Sequence, residues 1–139
     1  MPKGAFFNHF GSKEAFAVEV LRRYFERWQL KIASIVNDPR TKAIESLRAL
    51  LAAATDGAQD SSYSFGCMVG NLSTELSSEH DSIRLTLSEI FRDRALTFET
   101  VIETGQKTGE LTAGLRPAQA AHFLVNGSRR TAIREATCR

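Results

Sequence analysis

The chain has 139 residues, 42% of them hydrophobic and 24% charged, the mix of one soluble domain with a sizeable core. Two cysteines exclude a disulfide framework or a zinc site built of four thiolates, and no run of eighteen apolar residues is present to span a membrane. The net charge of +2 hides a split: residues 1–48 balance to +4, residues 49–110 to −6 and residues 111–139 to +4, so a polyanion would suit the first third and not the middle.

In chain order, the first expected element is a short helix opened by Pro2 and closed by a tight turn at Gly11. Phe6 and Phe10, four residues apart, would face inward. Lys3, Ala5, Phe7, Asn8 and His9 would lie on the outer faces. Ser12 then caps a long helix over residues 12–37, with Glu14 in its first turn. Its apolar stripe runs through Phe16, Val20, Tyr24, Trp28, Ile32 and Ile35, widened by Leu21 and Phe25. Asn37-Asp38-Pro39 ends it, because the residue before proline leaves the α region.

A second helix is predicted over residues 41–55, with Ile44, Leu47, Leu50 and Leu51 inward, followed by a loop over residues 56–64. A short helix over residues 66–76 carries Cys67, Met68, Val69 and Leu72. Ser78 with Asp81 suggests a capping box for a second long helix that reaches residue 108. The stripe of that helix is Ile83, Leu87, Ile90, Phe91, Phe98, Val101 and Ile102, and Gly109 stops it. Pro117 opens a last helix striped by Ala118, Ala121, Leu124 and Val125. No strand pattern competes, so the fold class is all-α.

Motifs of catalysis are absent. There is no G-x-S-x-G elbow, no phosphate-binding P-loop and no H-E-x-x-H pair. His9, His80 and His122 lack ligand spacing, and the Glu99/Glu103 pair reads as a solvated helix face without the Glu-x-x-His partners of a di-iron site. No enzyme, cofactor or metal is expected. Residues 2–16 carry the chemistry. A short helix showing Lys, Asn, His and an aromatic ring suits a DNA groove, where Asn reads adenine edges and Lys holds phosphate. The N-terminus of the following helix, with Lys13 beside it, offers itself to a phosphate.

The string Pro-Lys-Gly-Ala-Phe-Phe-Asn-His-Phe-Gly-Ser-Lys-Glu-Ala-Phe closely resembles the recognition helix and following turn of the TetR/AcrR family of bacterial transcriptional regulators. A second stretch, Gly-Cys-Met-Val-Gly-Asn-Leu-Ser-Thr-Glu-Leu-Ser from Gly66, is similar to the ligand-domain segment of one subgroup. Asp81-Ser82-Ile83-Arg84 and Thr108-Gly109-Glu110-Leu111 fit the same subgroup. The resemblance implies a ligand-responsive, cytoplasmic repressor that binds operator DNA as a homodimer and releases it when a small-molecule effector is bound, with no membrane association. It implies DNA contacts at Lys3, Ala5, Phe7, Asn8 and His9, and a backbone contact at Lys13. It divides the chain into residues 1–37, the end of a helix-turn-helix domain, and residues 38–139, an effector-binding and dimerisation domain.

The chain begins inside the motif, so the expected architecture is a TetR-like bundle lacking the first two helices. A recognition helix without its partner is too short to persist alone. The 139-residue chain is therefore expected to grip operator DNA poorly. The rival reading is a helical ligand-binding and dimerisation module, from a truncated gene, that does not bind DNA. Gly127-Ser128-Arg129-Arg130 interrupts the last stripe, so the dimerisation helix is expected to be curtailed. Cys67, in the first turn of its short helix, is a candidate thiol sensor, because the helix dipole stabilises a thiolate there. Some regulators resembling this subgroup sense electrophiles through such a thiol.

Overall fold

A computed structural model describes residues 11–60 and 80–137. Four helices make up the regular structure: α1 (Lys13–Val36), α2 (Ala43–Asp60), α3 (Asp81–Lys107) and α4 (Pro117–Thr137), with no strand among the described residues. The all-α expectation is met. The 27-residue α3 is the central helix. Helices α1, α2 and α4 all pack on it, and α2 also touches α1 and α4.

The local stop and start signals work as the sequence implies. Gly11 turns with a positive φ of 71°. Ser12 caps α1 in extended geometry, its hydroxyl accepting from the Ala15 N–H at 3.0 Å. Asn37 is the C-cap of α1, two residues ahead of Pro39. In the turn that follows, Asp38 accepts from the Arg40 backbone N–H at 2.9 Å and from its guanidinium at 3.2 Å. At the end of α3, Gly109 takes φ 78°, a left-handed backbone conformation that residues with a Cβ rarely adopt. Pro117 is the first residue of α4.

Three expectations about helix ends need correction. Helix α2 does not stop at residue 55 but runs on to Asp60, through Gly57. One glycine costs a helix about 1 kcal/mol, which the alanine-rich turns before it can absorb, and no proline follows to break the chain. The N-cap of α3 is His80, with no side-chain cap hydrogen bond, so Ser78 is not the cap. Helix α4 continues through Gly127 and the two arginines to Thr137 without interruption. The composition of that segment weakens its apolar stripe but does not end the helix.

The core is built from Leu21, Phe25, Trp28 and Ile32 of α1, Ala43, Leu47 and Leu50 of α2, Ile83 through Ile102 of α3, and Ala121 and Val125 of α4. Phe98, Leu21, Leu50 and Ile83 are the largest side chains wholly removed from water. Each contributes about 1.5–3 kcal/mol by that removal. The buried face of α1 is thus rotated from the expected stripe, and Phe16 is exposed. On α2, Ile44, expected to face inward, is exposed, and its neighbour Ala43 is buried. A tight approach explains this. Gly105 of α3 packs so closely on α2 that a Cβ placed there would sit 2.6 Å from the Ala43 Cβ. Only a small side chain fits at that crossing.

Candidate functional site

Helices α1 and α3 run side by side in the same direction. Near their starts, Glu14 accepts a hydrogen bond from the Ser82 hydroxyl, and His80 Nδ1 lies 3.4 Å from the second Glu14 oxygen. The Ser82 hydrogen bond holds the Glu14 carboxyl below its ordinary pKa, partly opposed by desolvation, and the His80 charge adds to the lowering. The end of α1 that follows the Gly11 turn is therefore tied to the first turn of α3. Lys13, the first residue of α1, is exposed at this end. Lys3, Ala5, Phe7, Asn8 and His9 lie outside the described residues, as does Cys67.

Three turns further along, the same helix pair buries a cation. Arg94 of α3 is only 7% exposed. Its guanidinium carbon lies 5.0 Å from the centroid of the Trp28 ring and 5.9 Å from that of Tyr24, both on α1. Phe25 stacks on Trp28 with centroids 5.5 Å apart. Burial pushes the Arg94 guanidinium below its ordinary pKa, and Tyr24 offsets part of the loss. Among the described residues, three buried side-chain polar atoms have no hydrogen-bond partner: Trp28 Nε1, Arg94 Nε and Arg94 Nη2. All three are donors, and they belong to two side chains in contact. These three donors stay unanswered although the guanidinium also makes a side-chain hydrogen bond with Tyr24.

Sequence reasoning passed over Arg94, although a signal was present. The expected stripe on α3 jumps seven residues from Phe91 to Phe98. Arg94 fills that gap, one turn after Ile90 and one before Phe98. A charged residue in a core register marks a site that a period of apolar residues alone conceals.

A second feature lies at the other end of the bundle. An open cavity of about 600 Å³ between α2, α3 and α4 is lined mainly by Leu47, Ile102, Leu115, Phe123 and Leu124. Phe123 is 75% exposed beside it. No group of three or more metal-ligating side chains occurs among the described residues, and no helix of the described residues is long and apolar enough to cross a membrane.

Unanswered buried donors and an apolar cavity are features of a binding domain. Comparison with known proteins places it. A family model described as the C-terminal domain of tetracyclin repressor-like proteins matches residues 43–136, and the chain belongs to this family. It is 37% identical over 125 residues to the HTH-type transcriptional repressor DhaR of Mycobacterium sp. (strain GP1), an alignment covering 90% of this chain and 61% of that protein. It is 25% identical over 117 residues to the transcriptional regulator AcuR of Cereibacter sphaeroides, covering 84% of this chain and 53% of the relative. It is 23% identical over 124 residues to the HTH-type transcriptional repressor NemR of Escherichia coli K12, covering 89% and 62%. The chain thus spans between half and two thirds of the length of these relatives. No solved structure gives a significant match.

Proposed function

We propose that this chain acts as a transcriptional repressor of the TetR type. Residues 1–37 end its DNA-binding part, and residues 38–139 form its effector-binding and dimerisation domain. The observation that carries the reading is the family match over residues 43–136, joined through α1 to the Gly11-Ser12-Lys13 turn that closes the DNA-binding motif. That three relatives carry regulator names supports a regulator over an enzyme. Operator DNA is the partner, with contacts at Lys3, Ala5, Phe7, Asn8 and His9 and a phosphate held at Lys13. The apolar surface around Phe123 supports homodimer formation through α4. The protein works in the cytoplasm.

An effector shifts the dimer between DNA-competent and DNA-incompetent states only through unequal affinity for the two. Helix α1 is the physical link, since it carries the Ser12 cap at one end and Trp28, against the Arg94 guanidinium, further along. Cys67 is a second trigger: a thiolate beside Gly66 and Gly70 that, once modified, adds bulk next to Met68 and Val69.

Fluorescence anisotropy of labelled DNA flanking the gene tests the reading. Weak binding is expected of the 139 residues alone. Joined to the first two helices of a TetR-type DNA-binding domain, the chain should bind in a salt-sensitive, sequence-selective way, weakened by Asn8→Ala in a sequence-dependent way and by Lys13→Ala uniformly. Binding that ignores sequence would refute it. For Cys67, alkylation of the Cys138→Ser variant against pH should give an apparent pKa below the free-thiol value of about 8.5.

A further inference from the structure

The structure carries a buried charge whose hydrogen-bonding capacity is only partly met. Arg94 and Trp28 together present three hydrogen-bond donors, Nε, Nη2 and the indole Nε1, that find no acceptor among the described residues. An unanswered buried donor is costly, and a charged one more so. No carboxylate among the described residues forms an ion pair with Arg94. The two unanswered guanidinium atoms are not an arbitrary pair. Nε–H and Nη2–H point the same way along one edge of the guanidinium, the fork that takes two oxygens of a carboxylate at once. The Trp28 indole N–H adds a third donor from the side chain over which the guanidinium lies.

Chemistry of the missing group follows from that inventory. Beside the one hydrogen bond that the guanidinium makes with the Tyr24 side chain, three unanswered donors call for a ligand rich in acceptors. An ionised carboxylate has two oxygens and about four lone-pair sites. Aromatic rings surround the cation: Trp28 and Tyr24 lie against it, and Phe25 stacks behind Trp28. They favour an apolar body on the acid.

We propose that Arg94 is the anion anchor of the effector site and that the effector is a small organic carboxylate with an apolar body. This rests on the reading of the chain as an effector-responsive repressor and names the effector's class. The carboxylate pairs with the Nε/Nη2 edge, and the Trp28 indole donates to one of its oxygens. Pairing turns the guanidinium from the ring faces toward the ligand and so alters the α1–α3 seam. Along that seam, Glu14 and Ser82 join the same two helices at the end beside the Gly11 turn. A change at Arg94 therefore has a continuous packed route toward the DNA-binding end.

Trp28 is the chain's only tryptophan, so its emission reports the site directly. The probes are acetate, hexanoate and benzoate, with benzamide as the neutral shape-match of benzoate. Saturable changes in Trp28 emission are expected with hexanoate and benzoate, at least about tenfold weaker with benzamide, because the charged fork is lost. Arg94→Met should abolish the response while helical circular dichroism is kept. Arg94→Lys keeps the charge without the fork and should weaken the response by about tenfold or more. No saturable change with any of the three acids would overturn the proposal. So would equal affinity for benzoate and benzamide, or an unchanged response in a folded Arg94→Met variant. These measurements need no DNA, and anisotropy with operator DNA is run separately. Carboxylate binding without operator binding by the chain joined to the first two helices of a TetR-type DNA-binding domain counts against the repressor reading alone. Operator binding with no carboxylate response counts against the anchor alone.

Discussion

Glu110 accepts a 2.6 Å hydrogen bond from the backbone N–H of Ala43, a residue 67 positions earlier. The carboxylate belongs to the turn after α3, and the N–H is one of those that α2 leaves without an intrahelical acceptor. The connector that carries Glu110 is itself braced. Gln106 Nε2 donates to the carbonyls of Thr112 and Leu115, at 2.9 and 2.8 Å, and Leu111 N–H returns to the Gly105 carbonyl at 3.0 Å. Glu110→Ala should therefore lower stability by about 1 kcal/mol, the usual value of a lost helix cap. Glu110→Gln should cost less, since it keeps an acceptor and loses only the charge at the helix N-terminus. Urea denaturation with a fixed slope checks both.

Gly105→Ala tests the α2–α3 crossing. The new Cβ would lie 2.6 Å from the Ala43 Cβ and 2.7 Å from Leu111 Cδ1. Leu111 can move, but the Ala43 Cβ is fixed to its backbone. Helix propensity favours alanine by about 1 kcal/mol, whereas overpacking costs about 1–3 kcal/mol. The net effect is expected to be destabilising, read as a lower Tm. A higher Tm would show that α2 slides freely.

Glu14 provides a pH test. The Ser82 hydroxyl, and after it the His80 charge, hold its carboxyl below the ordinary value in the folded protein. A depressed acid adds stability that is complete above its unfolded pKa and is lost as the pH falls through the folded one. The loss should therefore appear at and below the ordinary carboxylate range, not near neutrality. Carboxyl NMR should report a Glu14 pKa in Ser82→Ala that moves up toward the ordinary value. An unmoved value would assign the depression elsewhere.

Arg94→Met should also separate stability from response. Replacing buried ion pairs by well-packed apolar chains is often neutral or stabilising by about 1–4 kcal/mol, and a cation with no counter-ion that is taken out of the core should follow the same direction. The lost cation–π contact with Trp28 is worth about 0.5–2 kcal/mol. The expected outcome without effector is a Tm equal to or above that of the unmodified protein, measured by circular dichroism. A large fall would mean that the guanidinium serves the core.

The punctuation of this protein is legible in its sequence because caps are local. Ser12, Asn37 before Asp38-Pro39, Gly109 and Pro117 act through their own backbone or that of residues one turn away. The all-α class followed from the period of the apolar residues, and the family from the motifs around Gly11 and Gly66 and the stretches at Asp81 and Thr108. Where a signal is weak, local reading failed. Gly57 and the Gly127 segment looked like breaks, yet both lie inside helices, since a single glycine only taxes a helix that packing sustains. Which side of α1 faces inward was undecidable from spacing, because Phe16, Val20, Tyr24 and Leu21, Phe25, Ile32 give two overlapping stripes. Only the neighbours α2 and α3 chose the second. The close approach at Gly105 likewise buried Ala43 and left Ile44 in solvent. The burial of Arg94 was only hinted at by the gap in the α3 stripe and was decided by tertiary structure. Arg94 reads as a surface charge until α1 lays Trp28 and Tyr24 over it, for burial belongs to the pair of helices and not to either alone.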